Sequence, residues 1–360
     1  MQRRCIMSQT KLQKSERLVY LDLLRTVSIV CMVMLHISGI GMRDPVGSYD
    51  WHICNIYDGI THFCVPVFVM ISGAFLLDPA REYPVKKLYK VKILRILTAF
   101  LFWSLFYAVI TAFRSDGSFF TVFIKELLKG KFHLWFMFMI AGLYMLTPLL
   151  RKFTEDKKMT EYFLILCGVF MFGLSNITLL SPWKNVDEIA SYINEKINMD
   201  FVFGYTFYYV AGFYFKQYSL SKRLKTALHI LGPLSAVAVP LFTYLYSAPA
   251  GKNVFIFYAF QSPCMGLLSV WLFVLFKDLF ESKSFGGKSV RVISFLSKYS
   301  FGVYLVHAVF IDLLGNVFSI TCRSFNTVFS VPVLTFGVFA VSLAVVYIIG
   351  KIPVLNKYIM

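Results

Sequence analysis

The residues able to do chemistry begin in one apolar run. Residues 19–40 read VYLDLLRTVSIVCMVMLHISGI and hold Asp22, Arg25 and His36. Ionisable side chains in hydrocarbon are costly, so each is a candidate for function. Asp22 and Arg25 are three residues apart and can neutralise one another on a helix face. Arg25 and His36 are eleven apart. At about 100° per residue that returns to within about 20° of the start, with a rise of roughly 16 Å. One helix face therefore carries both. A fixed guanidinium suits a phosphate-bearing donor. A histidine further along can act as general base on a hydroxyl. A donor with a long thin arm, such as acyl-CoA, bridges such a gap. The plainer alternative is an Asp22–Arg25 pair with His36 hydrogen-bonded to another helix.

Other side chains fall at matching depths. Lys92 and Arg95 open a later apolar run, KLYKVKILRIL, at the depth of Arg25. Lys87 and Lys90 read as lipid-headgroup anchors, whereas Arg95 lies deeper and is the better phosphate contact. His62 lies before Pro66, His133 opens HLWFMFMIAGLYMLTPLL with Trp135 beside it, and His307 lies in YSFGVYLVHAVF. There Ser300, Tyr304 and His307 share a helix face. With His36, four of the six histidines fall in the same half of the bundle, which suggests a polar cavity at that end. His52 and His229 are given no role.

The elements that must position these groups are helices in a membrane. Of 360 residues, 58% are hydrophobic and 15% charged, with mean hydropathy +0.67. A soluble domain runs nearer ~25% charged, so a cytosolic globule, a disordered chain and a disulfide scaffold are excluded. About ten spans are expected: Val19–Ile40, Gly59–Leu77, Ile93–Phe113, His133–Leu150, Tyr162–Leu180, Phe201–Phe215, Thr226–Tyr246, Val254–Phe276, Ile293–Leu314 and Val331–Gly350. Backbone groups in lipid must be paired locally, so the fold class is an all-α integral membrane bundle. Residues 1–18 form a basic tail, 19–350 one membrane domain and 351–360 a short C-terminal tail. Of 36 Lys and Arg, 24 fall on the side of the N-terminus and 9 on the other. That asymmetry places both termini in the cytoplasm. It also accounts for the net charge of +17 as topogenic charge near anionic lipid, with no nucleic-acid partner.

The chain contains no Walker loop, no dinucleotide fingerprint, no HExxH and no nucleophile elbow, and the histidine spacing suggests no metal site. Seven cysteines are scattered. Cys54 and Cys322 fall in expected outer loops, where a bridge between them is possible.

The ordered set of motifs resembles the membrane acyltransferase family 3. Asp22-x-x-Arg25 followed by His36 looks like its first-span signature. CVPVFVMISGAFLL, KILRILTAFLFWSLFY, HLWFMFMIAGLYMLTPLLR, YYVAGFYF and YSFGVYLVHAVF are similar to later blocks, from Tyr20 to Ile349. The style is nearest the surface-polysaccharide O-acyltransferase branch. The resemblance implies a ten-helix enzyme of the bacterial inner (cytoplasmic) membrane. It would take an acyl group, usually acetyl, from cytoplasmic acetyl-CoA to a hydroxyl of a surface polysaccharide or lipid-linked sugar. It implies that His36 is the essential histidine and that Arg25 and Arg95 match the family's basic residues; the donor phosphates are then expected on Arg25, Lys92 and Arg95, with Asp22 completing the catalytic set by holding Arg25 in its rotamer. His62, His133, Tyr304 and His307 would line the acceptor side. The stretch before the third span is lysine-rich, Lys86 to Lys92, where some members carry arginine pairs. Two rivals remain: a transporter or glycan exporter without acyl transfer, and a membrane sensor or scaffold.

Overall fold

The structure is a computed structural model and describes residues 18–81, 83–173 and 204–359. Every regular element among them is helical. In chain order the α-helices of six or more residues are α1 (Val19–Gly41), α2 (Tyr49–Thr61), α3 (Cys64–Leu76), α4 (Leu94–Arg114), α5 (Phe119–Lys129), α6 (Trp135–Thr154), α7 (Lys157–Gly168), α8 (Gly204–Gln217), α9 (Lys222–Ala250), α10 (Pro263–Phe280), α11 (Gly287–Asn316), α12 (Thr327–Ile349) and α13 (Pro353–Tyr358). Eight helical stretches among the described residues are long and apolar enough to cross a membrane. The expected spans at Tyr162–Leu180 and Phe201–Phe215 match α7 and α8 in part, and residues 174–180 and 201–203 lie outside the described residues.

The burial pattern is that of a protein in lipid. Apolar side chains such as Leu101, Phe113, Leu149, Leu234 and Phe336 point outward, while Ser38, Thr147, Ser235, Thr243, Ser269 and Thr335 are buried. Their hydroxyls bond carbonyls four residues back, as Thr243 does to Val239 at 2.8 Å. Between helices in hydrocarbon there is no hydrophobic driving force, so small and internally satisfied residues make the seams. Backbones approach most closely where α3 crosses α8. A Cβ at Gly73 would lie 1.7 Å from the carbonyl oxygen of Tyr209, and one at Gly212 would lie 1.9 Å from that of Met70. α1 is the central helix, packed by α2, α3, α10, α11 and α12.

Several boundaries differ from the sequence expectation, each for a local reason. Residues 49–58 are helix, not outer loop. Ser48 caps α2 by accepting from the Trp51 N–H at 3.3 Å, and the polar side chains Asn55 and Asp58 turn inward and are buried. The chain kinks at His62 and Phe63 before α3 resumes. Cys54 consequently sits on a buried helix face, where its thiol hydrogen-bonds that of Cys322. Both are free thiols, packed over Gly41. The run expected to start at Val254 becomes helical only at Pro263, since proline suits a first turn and residues 254–262 form turns. An amphipathic helix, α5, precedes the fourth span.

Candidate active site

A cavity of about 610 Å³ runs between α1, α4, α6 and α11, within the usual range for a small-molecule site. Arg25 and His36 both line it, as their spacing on one helix face requires. The lining divides into a cationic end and a histidine end.

At the cationic end, Arg25, Lys92, Arg95 and Lys298 line the wall, and no carboxylate does so among the described lining residues. A π-helical turn, Leu88–Ile93, carries Lys92 and leads into α4. Such wide turns inside a helix re-aim the following side chains and are frequent at functional sites. The Arg25 guanidinium carbon lies 5.7 Å from the Phe75 ring centroid, and that of Arg95 lies 5.9 Å from the Phe301 ring centroid. Aromatic faces attract cations. Tyr144 of α6 stands beside Arg25 and Arg95. Asp22 lies one layer behind the wall. Its Oδ1 accepts from the hydroxyl of Ser297 at 2.6 Å, so it ties α1 to α11.

At the other end the structure gathers histidines from three helical regions. His36 stacks on His307, with ring centroids 5.1 Å apart and planes 18° from parallel. His133 meets His307 edge-on at 5.1 Å, and Phe132 meets His36 edge-on at 5.0 Å. His307 Nδ1 donates to the Tyr304 carbonyl at 2.7 Å, because a carbonyl can only accept. Its Nε2 is then a bare acceptor, buried with no hydrogen-bond partner among the described residues. Tyr304 donates its hydroxyl to the His133 carbonyl at 2.5 Å. That bond commits its proton and fixes α11 against the start of α6. His62 lines the cavity from the α2–α3 kink. Its Nδ1 lies 3.0 Å from the Asp58 carbonyl and 3.1 Å from Asp58 Oδ1, which points Nε2 away from the backbone. Lys131 and Asp312 form an ion pair beside this end.

Of the residues expected from sequence, Arg25, His36, His62, Lys92, Arg95, His133 and Tyr304 line the cavity. His307 backs His36, and Asp22 backs Ser297. Others were missed. Asp58 was hidden by the loop assignment of residues 49–58. Lys298 is a basic residue inside the run expected at Ile293–Leu314, and that was the available signal. Tyr205, Tyr258 and Phe260 form an aromatic wall with Trp135. The Tyr205–Phe260 centroids are 4.1 Å apart and the Trp135–Tyr205 centroids 5.9 Å. No spacing in sequence connects residues from α6, α8 and the loop after α9. No group of three or more His, Cys, Asp or Glu is placed to hold a metal ion among the described residues.

The family model described as an acyltransferase domain matches residues 18–351. The chain is similar to proteins named "Probable poly-beta-1,6-N-acetyl-D-glucosamine export protein" from Staphylococcus aureus strains MSSA476 and MW2. The identity is 23% over 260 residues, covering 71% of this chain and 71% of the relative. No solved structure matches.

Proposed function

The chain belongs to the acyltransferase domain family, and from that premise we propose that it is an O-acetyltransferase of the bacterial cytoplasmic membrane. It moves acetyl from acetyl-CoA to a hydroxyl of a surface polysaccharide or lipid-linked sugar. Residues 19–350 form the membrane domain, flanked by cytoplasmic tails at 1–18 and 351–360. One observation carries the reading: the same cavity holds four cations at one end and histidines at the other, and α1 supplies a member of each set.

The residues fit a polyanionic donor with a narrow reactive arm. Arg25, Lys92 and Arg95 take its phosphates, the guanidinium groups as forks and the lysine as a point charge. The thioester then lies near His36. No hydrogen bond to a ring nitrogen of His36 occurs among the described residues, and His36 lines the cavity. His36 takes the proton of the acceptor hydroxyl as its oxygen attacks the thioester carbon, or takes the acyl group first and passes it on. In either case the acyl–sulfur bond breaks, an acyl–oxygen bond forms, and the proton ends on the released thiol. His62, His133, Tyr304 and His307 shape the acceptor side. Asp22 holds the α1–α11 contact from which Arg25 projects. The name of the relatives supports a polysaccharide acceptor, and the aromatic wall of Trp135 and Tyr205 suits the apolar faces of sugar rings.

The test uses inverted membrane vesicles given acetyl-CoA labelled in the acetyl group. Wild type should transfer label to the glycan or lipid-linked sugar fraction. His36→Ala should not, with the protein still in the membrane. Arg25→Ala should raise KM for acetyl-CoA with little change in kcat. Near-normal transfer by His36→Ala would overturn the scheme. The relatives' name also favours a second reading, export of a glycan without acyl transfer. Glycan movement that is independent of acetyl-CoA and of His36 would establish it.

A further inference from the structure

A second concavity, about 600 Å³, adjoins the cationic end of the first. It lies between the start of α4, the first half of α11 and the C-terminal α13. Arg95, Lys298 and Phe301 line both spaces, so the two lie on either side of these side chains. Lys90 lines the second alone. The groove thus holds three basic residues and no carboxylate among its described lining residues. No ion pair involves Lys90 or Lys298 among the described residues. Its aromatic surface is substantial as well. Tyr299, Phe301 and Tyr358 line it, and the Lys298 ammonium stands 5.1 Å from the Tyr299 ring centroid.

The far wall is built rather than incidental. Thr98 donates its hydroxyl to the Tyr358 carbonyl at 2.6 Å, and the Trp103 indole N–H donates to the Ile359 carbonyl at 3.0 Å. These two bonds fasten the C-terminal turn to α4 and give the groove its third side.

Positive charge without a lining carboxylate, beside the exposed ring of Tyr358, is a site for an anionic group attached to a flat ring system. We infer that this groove holds the adenosine 3′-phosphate end of a CoA-type donor, the inference resting on the acyl-CoA reading above. The chemistry of the donor sets the order. If the thioester reaches His36, the diphosphate falls on Arg25, Lys92 and Arg95. What remains is a purine and a phosphate monoester, which must leave the first cavity past Arg95. Lys90 and Lys298 stand there for the monoester, and Tyr358 for the purine. Lys90, first read as a headgroup anchor, thereby acquires a ligand. A lipid phosphate offers the same charge without the purine.

Binding to the purified full-length protein in zwitterionic detergent tests this without an acceptor. The probes are CoA, 3′-dephospho-CoA and added phosphatidylglycerol. Wild type should bind CoA at least about tenfold more tightly than 3′-dephospho-CoA, the worth of one charge-assisted contact. Lys90→Ala and Lys298→Ala should each narrow that ratio to about threefold or less, mainly by weakening CoA. Equal binding of the two by wild type would overturn the groove assignment while leaving the donor reading intact. Binding of neither would overturn the donor reading itself, and the groove assignment with it. No discrimination between the two nucleotides, together with thermal stabilisation by phosphatidylglycerol that Lys298→Ala removes, would assign the groove to a lipid headgroup instead.

Discussion

The imidazoles of His36 and His307 lie face to face, 5.1 Å between centroids and 18° from parallel, although 271 positions separate them in sequence. The stack clamps the α1 histidine against α11, and the Tyr304 carbonyl holds His307 in one tautomer. His36 is therefore oriented by packing rather than by a carboxylate. His307→Leu keeps most of the volume and removes the flat partner. It should lower kcat by about tenfold to a hundredfold, since an ångström of misplacement costs on that order. KM for acetyl-CoA should hold. Initial rates in vesicles at varied acetyl-CoA decide it, and an unaltered kcat would reduce the stack to ordinary packing.

His62 is held differently, by the carbonyl and the carboxylate of Asp58 one turn earlier. Asp58→Ala removes the carboxylate and leaves the carbonyl. We expect a fall of about tenfold in kcat, with donor affinity maintained, as for loss of an orienting partner. Unchanged turnover would mean that the backbone contact alone positions the ring.

The α3–α8 crossing predicts a stability effect remote from chemistry. Gly73→Ala forces a Cβ to within 1.7 Å of the Tyr209 carbonyl, so the helices must part. The cost should be about 3 kcal/mol or more. Gly39→Ala is the matched control, because a Cβ there meets nothing within 4 Å. Thermal unfolding in detergent should show a large loss of Tm for the first and none for the second.

Arg151 satisfies two carbonyls at the cationic end. Its Nη1 donates to Leu76 at 2.9 Å and its Nη2 to Arg81 at 2.8 Å, which covers the C-terminal end of α3. Arg151→Leu should cost about 2 kcal/mol through those charge-assisted bonds, again read as Tm. Its effect on acetyl-CoA affinity should be small, because Arg151 does not line the cavity.

The residues on α1 show how much was legible in advance. Helical periodicity alone put Arg25 and His36 on one face, and both do line one cavity. The ordered motifs pointed to the acyltransferase family, which the match over residues 18–351 bears out. The all-α membrane class followed from apolar runs too long to be anything else. Periodicity failed where a helix carried polar side chains inward. Asp50, His52, Asn55 and Asp58 made α2 look like a loop, because in lipid the buried face of a helix is often the polar one.

What the sequence determined by itself, then, was each helix's own content: its apolar length, its charged outliers and the angle between them. Those quantities depend only on local geometry, 3.6 residues per turn and the need to pair every backbone group. The tertiary structure alone decided which outliers meet. The His36–His307 stack, the Asp22–Ser297 bond, the Trp135–Tyr205–Phe260 wall and the groove that Tyr358 closes each join segments far apart in the chain. Their meeting depends on how helices cross, and crossings are set by small residues such as Gly73 and Gly212, whose effect appears only when two surfaces are brought together.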